Sequence, residues 1–177
     1  MMSMSPADVT AEIHGFSYPD ATPVPWSVGL DHVIAAETFW LSTVRSDGRP
    51  HVTPLIAVWH GDGIWFTTGP DEQKVRNLAA NPACILTAGR SELVDGGFDV
   101  VLEGMAEQVT SEATLQAIAE AFAAKYGTEL WDFVVRDGGF AHRGSDGLVL
   151  VFCVRPVRGL GFRKGDTYSQ TTWRFPR

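Results

Sequence analysis

Apolar residues recur along this chain at two different periods. Over 39–45, 51–59, 64–68, 83–88 and 98–109 they form short runs rich in β-branched and aromatic residues, the mark of strands. Over 111–126, Leu115, Ile118, Ala119, Phe122 and Tyr126 recur at helical spacing, with Thr110-Ser111 as a cap and Gly127 as a stop. Ser46-Asp47-Gly48 and His60-Gly61-Asp62-Gly63 separate the first three strands as hairpin turns, because glycine accepts positive φ. Within 51–59, Val52, Pro54, Ile56 and Val58 alternate with Thr53, Leu55, Ala57 and Trp59. Both sets are largely apolar, so both faces of this strand are expected to be covered. Pro54 cannot donate to a ladder and predicts an edge, a bulge or an interrupted pairing.

The remaining pattern predicts a helix over 26–37 with Val28, His32 and Ala35 or Ala36 on one face, and a helix over 72–80 with Val75, Leu78 and Ala79 turned inward. A second short helix is expected over 129–135, then a glycine-rich loop over 136–147 carrying His142. Strands are expected over 148–154, 160–163 and 168–175. Residues 1–25 are polar and hold Pro6, Pro19, Pro23 and Pro25, and read as a flexible N-terminal arm with little structure of its own. Residues 26–177 then form one domain. Its class is mainly β (α+β): hairpins closing into a small antiparallel barrel, with a few peripheral helices.

Composition narrows the function. The chain has 177 residues, 45% hydrophobic and 20% charged, which suits one compact domain with a real core. Its formal net charge of -7 argues against nucleic acid, whose phosphates want a clustered basic face. No apolar run approaches the roughly 20 residues of a membrane helix, and the N-terminus lacks the basic-then-apolar design of a signal peptide. Cys84 and Cys153 lie in apolar strands and read as reduced core thiols of a cytoplasmic protein.

The richest segment is Thr67-Thr68-Gly69-Pro70-Asp71-Glu72-Gln73-Lys74, where a strand runs directly into a helix instead of another hairpin. A helix N-terminus presents unpaired N–H groups and partial positive charge, which suits a phosphate, and Lys74 adds a full charge. Threonine is also an ordinary strand residue, and a lysine on a short helix is usually solvated; the strand-to-helix junction favours the phosphate. Arg45, Arg49 and Arg76 could supplement Lys74. The histidines show no metal spacing. Gly159-Leu160-Gly161 lacks the third glycine and the βαβ setting of a dinucleotide fingerprint. Asp95, Asp99, Glu103 and Glu107 include residues that alternate as a solvent-facing stripe. Near the C-terminus, Trp173 and Arg174 either close the barrel or pack on a partner chain, and an aromatic beside a guanidinium suits a flat anionic ligand.

The run from Phe66 to Lys74, with Asn81-Pro82 seven residues beyond the lysine, resembles the flavin-phosphate segment of the pyridoxamine 5′-phosphate oxidase family. That superfamily includes enzymes using the deazaflavin F-420. The similarity extends over about 36–109, and Arg174-Phe175-Pro176 is similar to the family's terminal Arg-Leu-x-Pro. The resemblance implies a split β-barrel and a homodimer with two cofactor sites at the subunit interface. It implies FMN or F-420 as cofactor, hydride transfer to or from an unidentified small substrate, and no assigned catalytic residue. It places the cofactor against Thr53, Pro54 and Leu55 (backbone beside the ring), Thr67 and Thr68, Gln73 and Lys74 (phosphate), and adds Trp173 and Arg174 at the tail. Gln73 stands where the oxidase has arginine, Asp99 where it has a glutamine, and the basic residue of the second strand is missing. The alternative is a non-catalytic split barrel that holds flavin or haem, with His51, His60 or His142 as axial ligand.

Overall fold

A computed structural model of the chain describes residues 5–89, 93, 97–143, 146–165 and 167–176. In chain order the elements are β1 (Thr10–Ile13), α1 (Trp26–Ala35), β2 (Phe39–Val44), β3 (Pro50–Leu55), β4 (Ala57–His60), β5 (Gly63–Thr68), α2 (Gln73–Ala80), β6 (Ala83–Ala88), β7 (Phe98–Gln108), α3 (Glu112–Tyr126), β8 (Phe133–Arg136), β9 (Gly139–His142), β10 (Leu148–Arg163) and β11 (Ser169–Arg174). The strands pair antiparallel throughout, in the order β1-β11-β10-β7-β6-β2-β3, with β4-β5 and β8-β9 attached through β10. This is the mainly β architecture with peripheral helices that the hairpin pattern predicts.

The strand expected over 51–59 is two strands. β3 pairs with β2, whereas β4 pairs with β5, and the chain changes partner at Ile56. Pro54 sits at the sheet edge, where its missing N–H costs no ladder bond. The apolar residues on both faces are explained by two cores. One lies inside the barrel around Phe39, Leu41, Phe66, Leu102 and Trp173. The other lies outside, where Leu115, Ile118 and Phe122 of α3 pack with Trp131 and Phe140 on the far face of Trp65 and Val151. Ala57 belongs to the first core and its neighbour Val58 to the second.

Several expectations need correction. The helix over 129–135 is instead the start of the β8-β9 hairpin. Asp137 and Gly138 both have positive φ, 51° and 73°, the requirement of a tight hairpin turn, and β-branched Val134 and Val135 favour the strand. The glycine-rich loop is thus partly β9. The strands over 148–154 and 160–163 are one 16-residue strand, β10, bent by a register shift between Pro156 and Arg158. The inward face of α1 is Trp26, Gly29 and Val33, not Val28 and His32. On α2 the buried residues are Lys74, Asn77 and Leu78, while Ala79 is exposed.

Residues 1–25 are not an arm without structure over their described part. β11 would otherwise be a bare edge, a template for unwanted pairing. β1 covers it, pairing Thr10 with Arg174 and Ile13 with Thr171. Farther along, the Val24 N–H donates to Thr171 Oγ1 at 2.9 Å and Trp173 Nε1 donates to the Val24 carbonyl at 2.8 Å.

The Gly159-Leu160-Gly161 segment has a packing role. A Cβ on Gly161 would lie 2.5 Å from the Trp173 ring, and one on Gly159 2.9 Å from it. These glycines, with Gly29 opposite, form the slot that admits the indole. Gly161→Ala is therefore expected to cost about 1–3 kcal/mol, the usual penalty for overpacking. Urea unfolding checks it; an unchanged midpoint would mean that the slot has slack.

The acidic positions of β7 face cations across the ladder. Asp99 pairs with Lys164 at 2.7 Å, Glu103 with Arg158 at 3.6 Å and Glu107 with Arg155 at 3.3 Å. The largely exposed Glu103–Arg158 and Glu107–Arg155 pairs are each worth about 0–1 kcal/mol, while the Asp99–Lys164 pair is partly buried. Asp95 lies outside the described residues. Cys84 and Cys153 are buried and unbridged, and burial pushes both thiols up to about 12. Among the described residues no helix is long and apolar enough to cross a membrane.

Candidate functional site

At the end of β5, Thr67 and Thr68 pair with Val151 and Leu150 of β10. The chain then turns through Gly69 to Glu72, whose N–H donates to the Gly69 carbonyl at 3.3 Å. The Thr68 hydroxyl donates to the same carbonyl at 3.3 Å. α2 begins at Gln73.

Positions 74, 77 and 78 share one helical face, and that face looks inward. Lys74 is accordingly buried, at 5% exposure, and its ammonium forms an ion pair with the Glu72 carboxylate. The other Glu72 oxygen, Oε1, accepts from the Gly69 N–H at 3.0 Å. The Lys74 hydrogen bond, helped by the Gly69 N–H and Thr68, holds the Glu72 carboxyl below the usual carboxylate range against the opposing effect of burial. A buried ammonium and a backbone N–H thus converge on one anionic group, with the Thr68 hydroxyl next to them turned to the Gly69 carbonyl.

A polar network continues from this cradle. Gln73 Nε2 donates to Asn77 Oδ1 at 2.8 Å, and Asn77 Nδ2 donates to Thr43 Oγ1 at 2.9 Å. Thr43 Oγ1 donates to the His51 carbonyl at 3.4 Å and lies 3.4 Å from His51 Nδ1. Burial first, then the charges of Arg45 and Lys74, push His51 below its ordinary pKa. Two residues along β3, on the same face, Thr53 Oγ1 is buried without a hydrogen-bond partner. A buried polar atom without a partner is uncommon, and here it sits beside the cradle's network.

The structure therefore brings together Thr68, Gln73, Lys74 and, through Thr43 and His51, the β3 segment containing Thr53. Thr67 and Leu55 are half-buried, and Pro54 points to the opposite, exposed face of β3. Lys74, which the sequence allows to be solvated, is a core-facing cation. Arg76 is turned along its own helix, donating to the Asp71 carbonyl at 2.7 Å and to Gln73 Oε1 at 3.2 Å, and Arg49 pairs with Asp47 at 2.8 Å.

Trp173 and Arg174 do not join this site within one chain. Trp173 is fully buried in the barrel core and offers no surface to a ligand. Arg174 is exposed and pairs with Glu12 of β1 at 3.2 Å. Along β10, Thr68 sits opposite Leu150 and Arg174 opposite Arg158, eight residues apart and on either side of the bend at Pro156. Within the chain, Trp173 packs into the barrel core.

Sequence reasoning passed over Glu72, Thr43 and Asn77. The readable signal was the spacing of Gln73, Lys74 and Asn77, which puts three polar residues within one turn of each other on α2. A second cluster lies at the β3-β4 break. Lys125 Nζ donates to the Ala57 carbonyl at 2.9 Å and sits 5.1 Å above the Phe39 ring, while Tyr126 Oη accepts from the Ala57 N–H at 3.1 Å. Burial pushes the Lys125 ammonium down to about 8.

With this geometry in place, comparison with known proteins decides the family. The pyridoxamine 5′-phosphate oxidase family model matches residues 30–159. The chain belongs to the pyridoxamine 5′-phosphate oxidase family. The match spans β2 to β9, most of β10, α2 and the cradle, and ends before β11 and the terminal Arg174-Phe175-Pro176. No curated protein matches the chain. Solved structures that resemble it include an FAD-binding protein from Mesorhizobium loti, 14% identical with a TM-score of 0.57 over 94% of this chain and 99% of that one. A haem storage protein from Vibrio cholerae is 18% identical, with a TM-score of 0.57 over 73% and 88%. An F-420 reductase is 24% identical, with a TM-score of 0.50 over 73% and 93%. At these identities the likeness is one of fold. The split barrel of the oxidase family is thus the fold of this chain, and the fold is shared by proteins whose names carry three different cofactors.

Proposed function

We propose that this member of the pyridoxamine 5′-phosphate oxidase family is an oxidoreductase that binds FMN or F-420, holds the cofactor phosphate in the cradle around Lys74, and transfers hydride to or from a small substrate. The observation that carries the reading is the buried Lys74 ammonium facing the Gly69 N–H and Thr68 around an anion. The unpartnered Thr53 hydroxyl adds a free hydrogen-bonding group on the adjoining strand. A bound flavin or deazaflavin supplies the hydride chemistry itself. The chain's residues bind and orient: Lys74, Gly69 and Thr68 take the phosphate, Gln73 and Asn77 brace α2 against Thr43, and β3 offers its backbone to the ring. The haem alternative would rest on one of three histidines. His51 Nδ1 lies 3.4 Å from Thr43 Oγ1, which leaves its Nε2 as the ligating atom, and His60 and His142 are exposed at hairpin ends.

Titration of the purified protein with FMN and with F-420, read by absorbance, tests this. Saturable binding of one of them at micromolar concentration is expected. A Soret band as purified, with no uptake of either ligand, would overturn it.

The reading includes a homodimer. Trp40, Val52, Met105 and Val157 are 51%, 52%, 54% and 57% exposed on the outer face of β2, β3, β7 and β10, an unusual concentration of large apolar surface. Covering it with a second copy supplies an interface of the size stable dimers bury, on the order of 2,000 Å². Trp40→Glu is expected to convert a dimeric mass to a monomeric one in light scattering. A monomeric wild type at micromolar concentration would remove the dimer from the account.

A further inference from the structure

The cradle already contains an anion, and it belongs to the chain. Glu72 is the residue that caps α2, with φ -74° and ψ 151°, yet its side chain makes no capping hydrogen bond. Serine, aspartate or asparagine would cap better, so helix stability does not account for a glutamate here. Both carboxylate oxygens turn toward the cradle instead, one to the Lys74 ammonium and one to the Gly69 N–H at 3.0 Å. Lys74 foremost, then the Gly69 N–H and Thr68, keeps the group charged. These are the donors that the proposed function gives to a phosphate. The Lys74 side chain is 6% exposed and the Glu72 side chain 49%. The cation is therefore fixed, while the anion can swing into water.

We infer that Glu72 is an internal competitor: its carboxylate occupies the anion cradle of the ligand-free protein, and an incoming phosphate must displace it from Lys74 and Gly69. The inference rests on reading residues 68–74 as an anion site. It makes Glu72 a determinant of affinity for anions, because every incoming phosphate must break its pair with Lys74. It also keeps the buried ammonium paired while the site is empty, where a lone buried charge would be costly.

The test uses the full chain carrying Glu72→Gln, which keeps the side-chain shape and an oxygen for the Gly69 N–H but removes the charge. A Glu72→Ala variant guards against a misplaced amide. FMN affinity is expected to rise at least about threefold, the effect of removing one partly exposed opposing ion pair. Affinity for riboflavin, which has no phosphate, should not change. Inorganic phosphate should raise the melting temperature of Glu72→Gln more than that of the wild type. Adding Lys74→Ala should abolish both gains. If neither Glu72 variant gains affinity for FMN or for inorganic phosphate, the competitor inference falls, whatever the wild type binds. If no protein binds FMN or F-420 but inorganic phosphate stabilises Glu72→Gln in a Lys74-dependent way, the cofactor reading falls and the competitor inference stands.

Discussion

Lys74→Ala should weaken binding of whichever cofactor the protein takes by about 1.5–3 kcal/mol, the usual worth of a hydrogen bond to a charged group. The magnitude follows from burial. The ammonium is 5% exposed, so its interaction with a phosphate is only partly screened by water. Raising the salt concentration should weaken the wild type more than the variant, since the variant has lost one charge. Folding should suffer less than binding. The pair broken in the free protein has a half-exposed partner, and Glu72 can rehydrate when its cation goes. Such a pair contributes about 0–1 kcal/mol, and alanine is a good helix former. The lysine stem also packs, so the stability change should not be zero. Equilibrium titration and urea unfolding of both proteins separate the two effects. Equal affinity of the two proteins would show that the phosphate goes elsewhere.

Trp173→Ala should be the most destabilising single change, at about 3–5 kcal/mol. The indole has no exposed surface. It meets Trp26 edge-on at 5.1 Å between centroids and lies 6.2 Å from Phe98. It fills a slot lined by Gly29, Gly159 and Gly161, and its removal leaves a cavity that backbone glycines cannot fill. Its Nε1 also satisfies the Val24 carbonyl, so the N-terminal segment loses an anchor on β11. Cofactor affinity of the fraction that remains folded should hold, because the cradle lies at the other end of β10. A loss below about 1 kcal/mol in urea unfolding would contradict the assignment of Trp173 to the core. A stable variant that failed to bind cofactor would return Trp173 to the site.

What was legible in the sequence follows from how local each signal is. The hairpin at Asp47-Gly48, the helix stop at Gly127 and the break at 68–73 are local, and all were readable; the second hairpin lies where expected but turns on Gly61-Asp62, with the positive φ at Gly61, and Ser111 precedes α3 without a side-chain capping bond. The same Asp-Gly logic at Asp137-Gly138 went unused, because the apolar run before it is short enough to read as either helix or strand. The splitting of 51–59 and the merging of 148–163 were hidden because both depend on partners distant in sequence. β10 is continuous because it pairs with β5, β7, β9 and β11 in turn. Pairing with β11 is likewise what orders residues 10–13, which a proline-rich composition alone does not suggest.

The cradle was half visible. Spacing put Thr68, Gly69 and Lys74 in one place, but the direction of Lys74 depends on what α2 packs against. With Thr43 and His51 beneath it, the helix buries its polar Lys74 and Asn77 alongside a single leucine. Trp173 and Arg174 are the reverse case. An aromatic beside a guanidinium has the chemistry of a ligand contact, and only the pairing of β11 shows one buried in the core and the other facing Glu12.

The central claim is that a phosphate on the cofactor is recognised at Lys74. Comparing FMN with riboflavin, and F-420 with its phosphate-free chromophore, tests it most directly, because each pair shares a ring and differs at the phosphate side. For the cofactor that binds, the phosphorylated form should bind the wild type more tightly by at least about tenfold, and Lys74→Ala should erase most of that difference. Equal affinity for both members of each pair, or a phosphate preference that survives in Lys74→Ala, would contradict the account.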